Sequence, residues 1–372
     1  MKVTPLHWRG SWTGPAPGPG RPALVLAFAD PALESLDGPL GDLVTAYPDA
    51  VVAGCSTAGV ISGTRIEDGV VGAVAVEFDR TEVRSAVTTV DGAEGSRVAG
   101  KEIAARLMSP GLRGMVVLSE GLAVNGTELV DGVADVVGPD VIVTGGLAGD
   151  GDRFERTWIL ADAAVGSNRV VGVGLYGEAL RMGHGSRGGW DIFGPERRIT
   201  RSSGNVLFEL DGRPALDLYV DYLGELAEGL PATGLLFPLS ISAEGEGGEV
   251  VRTILAVDAE ARSLTFAGDI PEGATAQLMQ AHFDRLVSGA EEAAHRAHLD
   301  GAGDILALAV SCVGRRLVLG ERTEEEVEAT LDALPPGTTQ AGFYSYGELS
   351  PHADGRCALH NQTMTLTTIG EA

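Results

Sequence analysis

Three short runs of apolar residues, 24–28, 115–118 and 305–310, recur along the chain, and the same succession of patterns follows each one. A polar loop leads to a helix-like stretch, a Pro or Gly stop, a second apolar run and then a glycine-rich segment. Short runs without polar interruption predict strands buried on both faces. The glycine segments read Gly54-Cys-Ser-Thr-Ala-Gly59 after the first run and Gly342-Phe-Tyr-Ser-Tyr-Gly347 after the last, with a looser copy, Gly146-Leu-Ala-Gly-Asp-Gly151, in between. Glycine lets the backbone take positive φ or approach another segment closely. Glycines and element order agree in all three places. The chain therefore reads as an internal repeat of strand, helix, strand, glycine loop, strand.

Between these landmarks the pattern predicts further elements. Asp30-Pro31 caps a helix that ends near Tyr47-Pro48, and a second helix over 95–108 is stopped by Pro110-Gly111. Asn125 and Glu128 stand at capping-box spacing, as do Thr323 and Glu326. Residues 70–78 and 81–90 read as a hairpin, and 182–190, with four glycines, as a turn-dense connection. Strands are predicted over 156–160, 170–175, 235–241, 250–257, 263–268 and 359–369, a hairpin over 199–210, and a helix over 217–223. The longest helical periodicity spans 275–299, with Leu278, Met279, Phe283, Leu286, Val287 and Ala290 on one side. Residues 1–21, rich in Pro and Gly, read as a flexible leader pinned by Trp8 and Trp12. The fold class is α/β (α+β), with mixed sheets in two domains, 22–215 and 216–372.

Composition narrows the function. The 372 residues carry a formal charge of −25, which repels nucleic acid and anionic lipid surfaces. No apolar run reaches the ~18 residues of a membrane span, and no signal-peptide core is present, so a cytoplasmic location is expected. Three cysteines without a C-x-x-C pair indicate neither a disulfide framework nor a zinc site.

Candidate chemistry collects around the loops. Cys55, Ser56 and Thr57 begin the first loop, where backbone amides can activate a thiol, although Gly54-Cys-Ser-Thr-Ala-Gly59 is one residue too long for a nucleophile elbow. Cys312 and Arg315 follow the opening strand of the third unit, where a guanidinium fork is placed to hold a carboxylate. Tyr344, Tyr346 and Glu348 add aromatic walls and an acid for an amine. Gly146 and Asp150 lie in the middle loop, and His360 and Asn361 begin the last strand. His184, among glycines, is the candidate haem ligand.

In order, the stretches Gly54–Gly59, 145–150, Thr200-Arg-Ser-Ser-Gly-Asn205, Ser311-Cys-Val-Gly-Arg-Arg316, 342–348 and His360-Asn-Gln-Thr363 make the chain similar to FIST domain proteins from residue 22 onward. The resemblance implies an N-terminal and a C-terminal FIST part and a sensory, small-ligand-binding function, with amino acids or small carboxylates as ligands and no cofactor required. It also implies a separate signalling output protein as partner, because no output domain is recognised in the sequence. Val60 departs from the acidic residue common after the first loop. Two alternatives stand beside this reading: a haem-based gas sensor, and a hydrolase or transferase that depends on Cys55.

Overall fold

The computed structural model describes residues 1–14, 16–18, 20–242, 249–300, 303–352 and 355–372. Each repeat unit forms a parallel strand pair joined by helix. Leu24–Ala29 pairs with Val51–Ser56, Leu112–Ser119 with Ile142–Leu147, and Leu306–Cys312 with Thr339–Ser345. The opening strand of each unit is flanked on its other side by an antiparallel strand, respectively Val71–Glu77, Arg169–Tyr176 and Met364–Glu371. All three opening strands are buried nearly end to end, as their apolar runs require. The helices are α1 (Pro39–Ala46), α2 (Ser96–Leu107), α3 (Gly126–Ala134), α4 (Ala215–Leu223), α5 (Phe283–Arg296), α6 (Val313–Leu319) and α7 (Thr323–Asp332).

The parallel registers explain the repeated glycine. Ala27 lies opposite Gly54, Val117 opposite Gly145, and Ala309 opposite Gly342. A Cβ on these glycines would stand 2.0, 1.9 and 1.7 Å from the carbonyl oxygen of the residue opposite. No side chain fits there. The equivalent position in the middle unit is thus Gly145, one residue ahead of the Gly146 that opens the sequence pattern.

Beyond each glycine segment the chain leaves its own sheet and adds a strand to another. Val60–Ser62 of the first unit pairs with Thr339–Ser345 of the third, and Gly347–Pro351 of the third with Ile142–Leu147 of the second. Ile159–Ala161 of the second closes the cycle on Val51–Ser56 of the first. The three mixed sheets share one apolar core, to which Leu26, Phe28, Val116, Leu118, Leu308 and Phe343 contribute. Phe28 and Phe343 stack there with ring centroids 4.7 Å apart.

Four local expectations are corrected. The leader is ordered at its start: Lys2–Trp8 pairs along its whole length with Val71–Glu77 and buries Val3 and Leu6, and Trp12 Nε1 donates to Asp42 at 2.9 Å. Pro15 and Pro19 of the Pro/Gly stretch lie outside the described residues. Residues 70–90 are not a hairpin, because Val71–Glu77 and Glu82–Thr89 enter different sheets, the latter against Arg169–Tyr176. The turn between them is clamped by Glu371, which accepts the backbone N–H groups of Asp79, Arg80 and Thr81 at 2.8–3.0 Å.

The turn-dense stretch is instead a strand, Leu180–Arg187, paired with Met364–Glu371. Its glycines serve packing: a Cβ at Gly183 or Gly185 would meet the carbonyl oxygen of Ala297 or Ala293, so their bareness lets the C-terminal end of α5 lie on the strand. The long helical periodicity is a strand followed by a helix. Thr275–Ala281 pairs with Leu239–Ser242 and Trp190–Ile192, with Ala276 and Leu278 facing one apolar cluster and Met279 another. Spacing that suits one helix face at 278, 279, 283 and 286 also allows two-sided burial in a strand, and pairing partners far along the chain decide between them.

Trp190–Ile192 and the described strands from Arg197 to Ala281 build a fourth, antiparallel sheet with α4 and an apolar cluster that includes Ile199, Leu218, Ile241, Ile254 and Phe266. Buried Arg252 ties this part to the three-unit body by donating to the carbonyl oxygens of Asp269 and Leu359. Asn125 caps α3 through the N–H groups of Thr127 and Glu128 and holds Asp269 at 2.7 Å.

Candidate functional site

The three glycine segments meet at the centre of the strand cycle. Ala58 N–H donates to Tyr344 O at 3.0 Å, Tyr344 N–H to Gly59 O at 2.9 Å, Gly149 N–H to Ser56 O at 3.1 Å, and Tyr346 N–H to Leu147 O at 3.2 Å. Thr57 Oγ1 reinforces the junction by donating to Gly59 O at 2.7 Å and Tyr344 O at 3.0 Å. The loops satisfy one another's backbone groups, so their amides are not free to cradle a ligand.

Most sequence-predicted site residues are buried in this junction rather than lining a cleft. Cys55 is fully buried and burial pushes its thiol up, the reverse of an activated nucleophile. Cys312 is equally buried and shifted the same way by burial. Ser56 Oγ accepts the N–H of Trp158, and Gly146 is enclosed by Val310, Phe343 and Gly347. Asp150 accepts the N–H groups of Phe154, Glu155 and Arg156 at 2.8–3.0 Å and the hydroxyl of Tyr346. Tyr344 donates its hydroxyl to Glu326, and its own ionisation is pushed well up, first by burial and then by that carboxylate. Glu348 is fully buried, accepts from Ser345, Thr363 N–H and Thr363 Oγ1, and is pushed up to about 8 by burial.

Arg315 is corrected as a ligand anchor. It is fully buried, with Nε and Nη2 on Glu326 Oε2 at 2.9 and 2.7 Å, Nη2 also on Leu286 O at 2.8 Å, and Nη1 on Gly188 O. Glu326 correspondingly does not close a capping box with Thr323; it leaves the helix surface to pair inward with Arg315 and Ser311. The next residue, Arg316, points the other way. It grips exposed Asp68 with two hydrogen bonds of 2.8 and 2.7 Å, donates to Ala58 O, and lies 5.8 Å from the Tyr344 ring centroid.

Two open cavities flank the junction, on opposite sides of the Arg315–Arg316 pair. The first, about 620 Å³, is lined by Thr57, Ala58, Gly151, Arg153 and Arg316, with Asp68, Asp152, Glu321 and Glu324 among its acids. Arg316 holds the Asp68 carboxylate below its usual range against the opposing effect of burial, with Arg153 adding to the pull. The second, about 600 Å³, is lined by His184, Arg187, Trp190 and Ile192 together with Val250, Val251, Met279, Arg296, Pro351 and Thr363. His360 and Asn361 line it, together with His184, Arg187, Trp190 and His352. His360 Nε2 is 3.1 Å from Ser350 O, and burial, with the neighbouring His352, lowers the imidazole to about 3. His184 is also shifted down by burial.

Around His184 the lining mixes Arg187, Arg296, His352, Asn361 and Thr363 with Trp190, Ile192, Val250, Val251 and Met279. No group of three or more metal-ligating side chains occurs among the described residues. Arg153, Asp68, Arg187, Trp190 and Arg296 were not singled out from the sequence. The glycine-rich context of 182–190 was visible there, but the partner segments that turn it into a wall lie 60–180 residues further along the chain.

The repeated loops close on one another in a mixed α/β body that also carries two open cavities. The chain belongs to the FIST family: the FIST N domain profile matches residues 23–213 and the FIST C domain profile residues 215–351. FIST domains are in general sensory, small-ligand-binding domains. The boundary between the two profiles cuts through the strand cycle, since the third repeat unit lies in the C-terminal part yet pairs with both others. Comparison with curated proteins returned no match. No helix among the described residues is long and apolar enough to cross a membrane.

Proposed function

We propose that the protein is a cytoplasmic sensor for a small zwitterion of the amino-acid class, bound in the first cavity and read out by a separate signalling protein. The supporting observation is Arg316. Its guanidinium fork already holds a carboxylate in two-pronged geometry, and that carboxylate, Asp68, is largely exposed on the cavity wall and replaceable. Arg153 supplies a second cation, while Asp152, Glu321 and Glu324 supply the opposite charge that an ammonium group needs. Thr57 and Ala58 line the same cavity. A ligand carboxylate takes the place of Asp68, and the displaced 67–69 turn, adjoining the strands Arg65–Glu67 and Val71–Glu77, becomes the surface that changes on binding.

The test is a thermal-shift screen of the amino acids against wild type and Arg316→Gln. At least one amino acid is expected to raise the melting temperature of wild type and to leave the variant unshifted. A screen without any shift, or a shift that survives Arg316→Gln, overturns the reading. A Soret band in the purified protein would replace it with the haem alternative.

A further inference from the structure

The second cavity differs from the first in charge. Its described lining residues include Arg187, Arg296, His184, His352 and His360 and no carboxylate, in a chain of net charge −25. The two guanidinium groups, Arg187 and Arg296, draw an anion in and repel an ammonium group. The two arginines converge: Nη2 of Arg187 and Nη2 of Arg296 both donate to Glu292 Oε1, at 3.0 and 2.7 Å. One carboxylate oxygen therefore already sits between the two guanidiniums, and it belongs to a half-exposed side chain on α5. Burial shifts His184 and His360 down, away from the cationic form, which leaves charge recognition to the arginines.

Part of the remaining wall is apolar, next to the polar side chains Ser186, Asn361 and Thr363. Trp190 is 8% exposed with its Nε1–H fixed on Gln362 O at 2.7 Å, and Met279, Val250, Val251 and Ile192 extend the surface it presents. Inorganic phosphate would leave this area wet, whereas an organic body would cover it. Arg315 braces the same wall through Gly188 O and Leu286 O.

We propose that this cavity is a second ligand site, for an organic carboxylate with an apolar body and no ammonium group. Its carboxylate takes the place of Glu292 between Arg187 and Arg296, and its body lies on Trp190 and Met279. The site is independent of the first cavity, which uses Arg316 and Arg153.

The probe is phenylacetate, titrated calorimetrically into the full chain beside phenethylamine, which keeps the ring and reverses the charge. Wild type is expected to bind phenylacetate and to ignore phenethylamine. The double variant Arg187→Gln/Arg296→Gln should weaken phenylacetate at least about tenfold, as loss of charge-assisted hydrogen bonds does. Glu292→Gln should tighten it several-fold by freeing the clamp. All three substitutions fall on partly exposed side chains, so the melting temperature of the free variants should stay close to that of wild type. Arg316→Gln should bind phenylacetate like wild type, which separates this site from the zwitterion site. The proposal is overturned if phenylacetate does not bind, if phenethylamine binds equally well, if the double variant binds like wild type, or if Glu292→Gln weakens binding.

Discussion

Two neighbouring arginines connect one short helix to both cavities, Arg316 in the lining of the first and Arg315 behind Gly188 of the second. Arg315 and Arg316 are consecutive on the seven-residue helix α6, yet one guanidinium is sealed in the wall of the second cavity and the other reaches the surface of the first. The first cavity is built at the edge of the repeated loops and mixes both signs of charge. The second touches the repeat only through the end of the third unit, at Pro351, and sets two arginines beside apolar side chains. The contrast places the polar side chains that remain open to a ligand outside a junction whose loop amides are already paired. Asp68 in the wall of the first cavity and Glu292 beside the second are the carboxylates that occupy the arginines. Each is partly exposed, so each can yield to a ligand carboxylate at small cost.

The sharpest break in this comparison is Arg315→Ala. It leaves Glu326 buried without its cation and removes the brace on Gly188, so urea denaturation should show a loss of about 3–5 kcal/mol. A variant within about 1 kcal/mol of wild type would mean that the pair does not carry the wall.

A difference in pH response between the two sides should come next in size. Glu348 and His360 face each other across the strands Gly347–Pro351 and Cys357–His360, on the side of the second cavity. Glu348 ionises near 4.5 when unfolded and near 8 when folded, so the unfolded chain holds fewer protons in that window and stability falls as pH rises through it. His360 takes its proton near 6.5 when unfolded and only near 3 when folded, so stability falls as pH drops from about 6.5 towards 3. Each limb has a steepest slope of about 1.4 kcal/mol per pH unit. Stability should therefore peak in the mildly acidic range. Denaturation curves of Glu348→Gln should lose the alkaline limb and those of His360→Gln the acid limb; unchanged limbs would mean that these groups titrate in contact with water.

Arg316→Gln should cost the first cavity about 1.5–3 kcal/mol of amino-acid affinity, one to two decades in Kd by calorimetry, with the melting temperature of the free protein nearly unaltered. The smallest effect belongs to Asp68→Asn. The Arg316–Asp68 pair is partly exposed, so its loss should move stability by less than about 1 kcal/mol while tightening the amino acid several-fold. If Asp68→Asn weakened the ligand instead, Asp68 would be part of the binding set and not its stand-in.

The order of buried strands, the three helix-linked repeats and the equivalence of their glycines follow from the chain by itself. Uninterrupted apolar runs demand burial on both faces, and Gly54 and Gly342 mark the places where neighbouring backbones come too close for a Cβ. Helices α2 and α3 were legible for the same local reasons of periodicity, caps and stops. What each segment pairs with was not. The crossing of Val60–Ser62, Gly347–Pro351 and Ile159–Ala161 into one another's sheets, and the strand at Thr275–Ala281 where spacing favoured helix, depend on hydrogen-bond partners far away in sequence. The same limit governs the candidate sites. Sequence placed cationic side chains beside the loops, but only tertiary packing decided that Arg315 would be spent on Glu326 and Arg316 left at a cavity, because burial and partners, not residue type, determine whether a charge remains available.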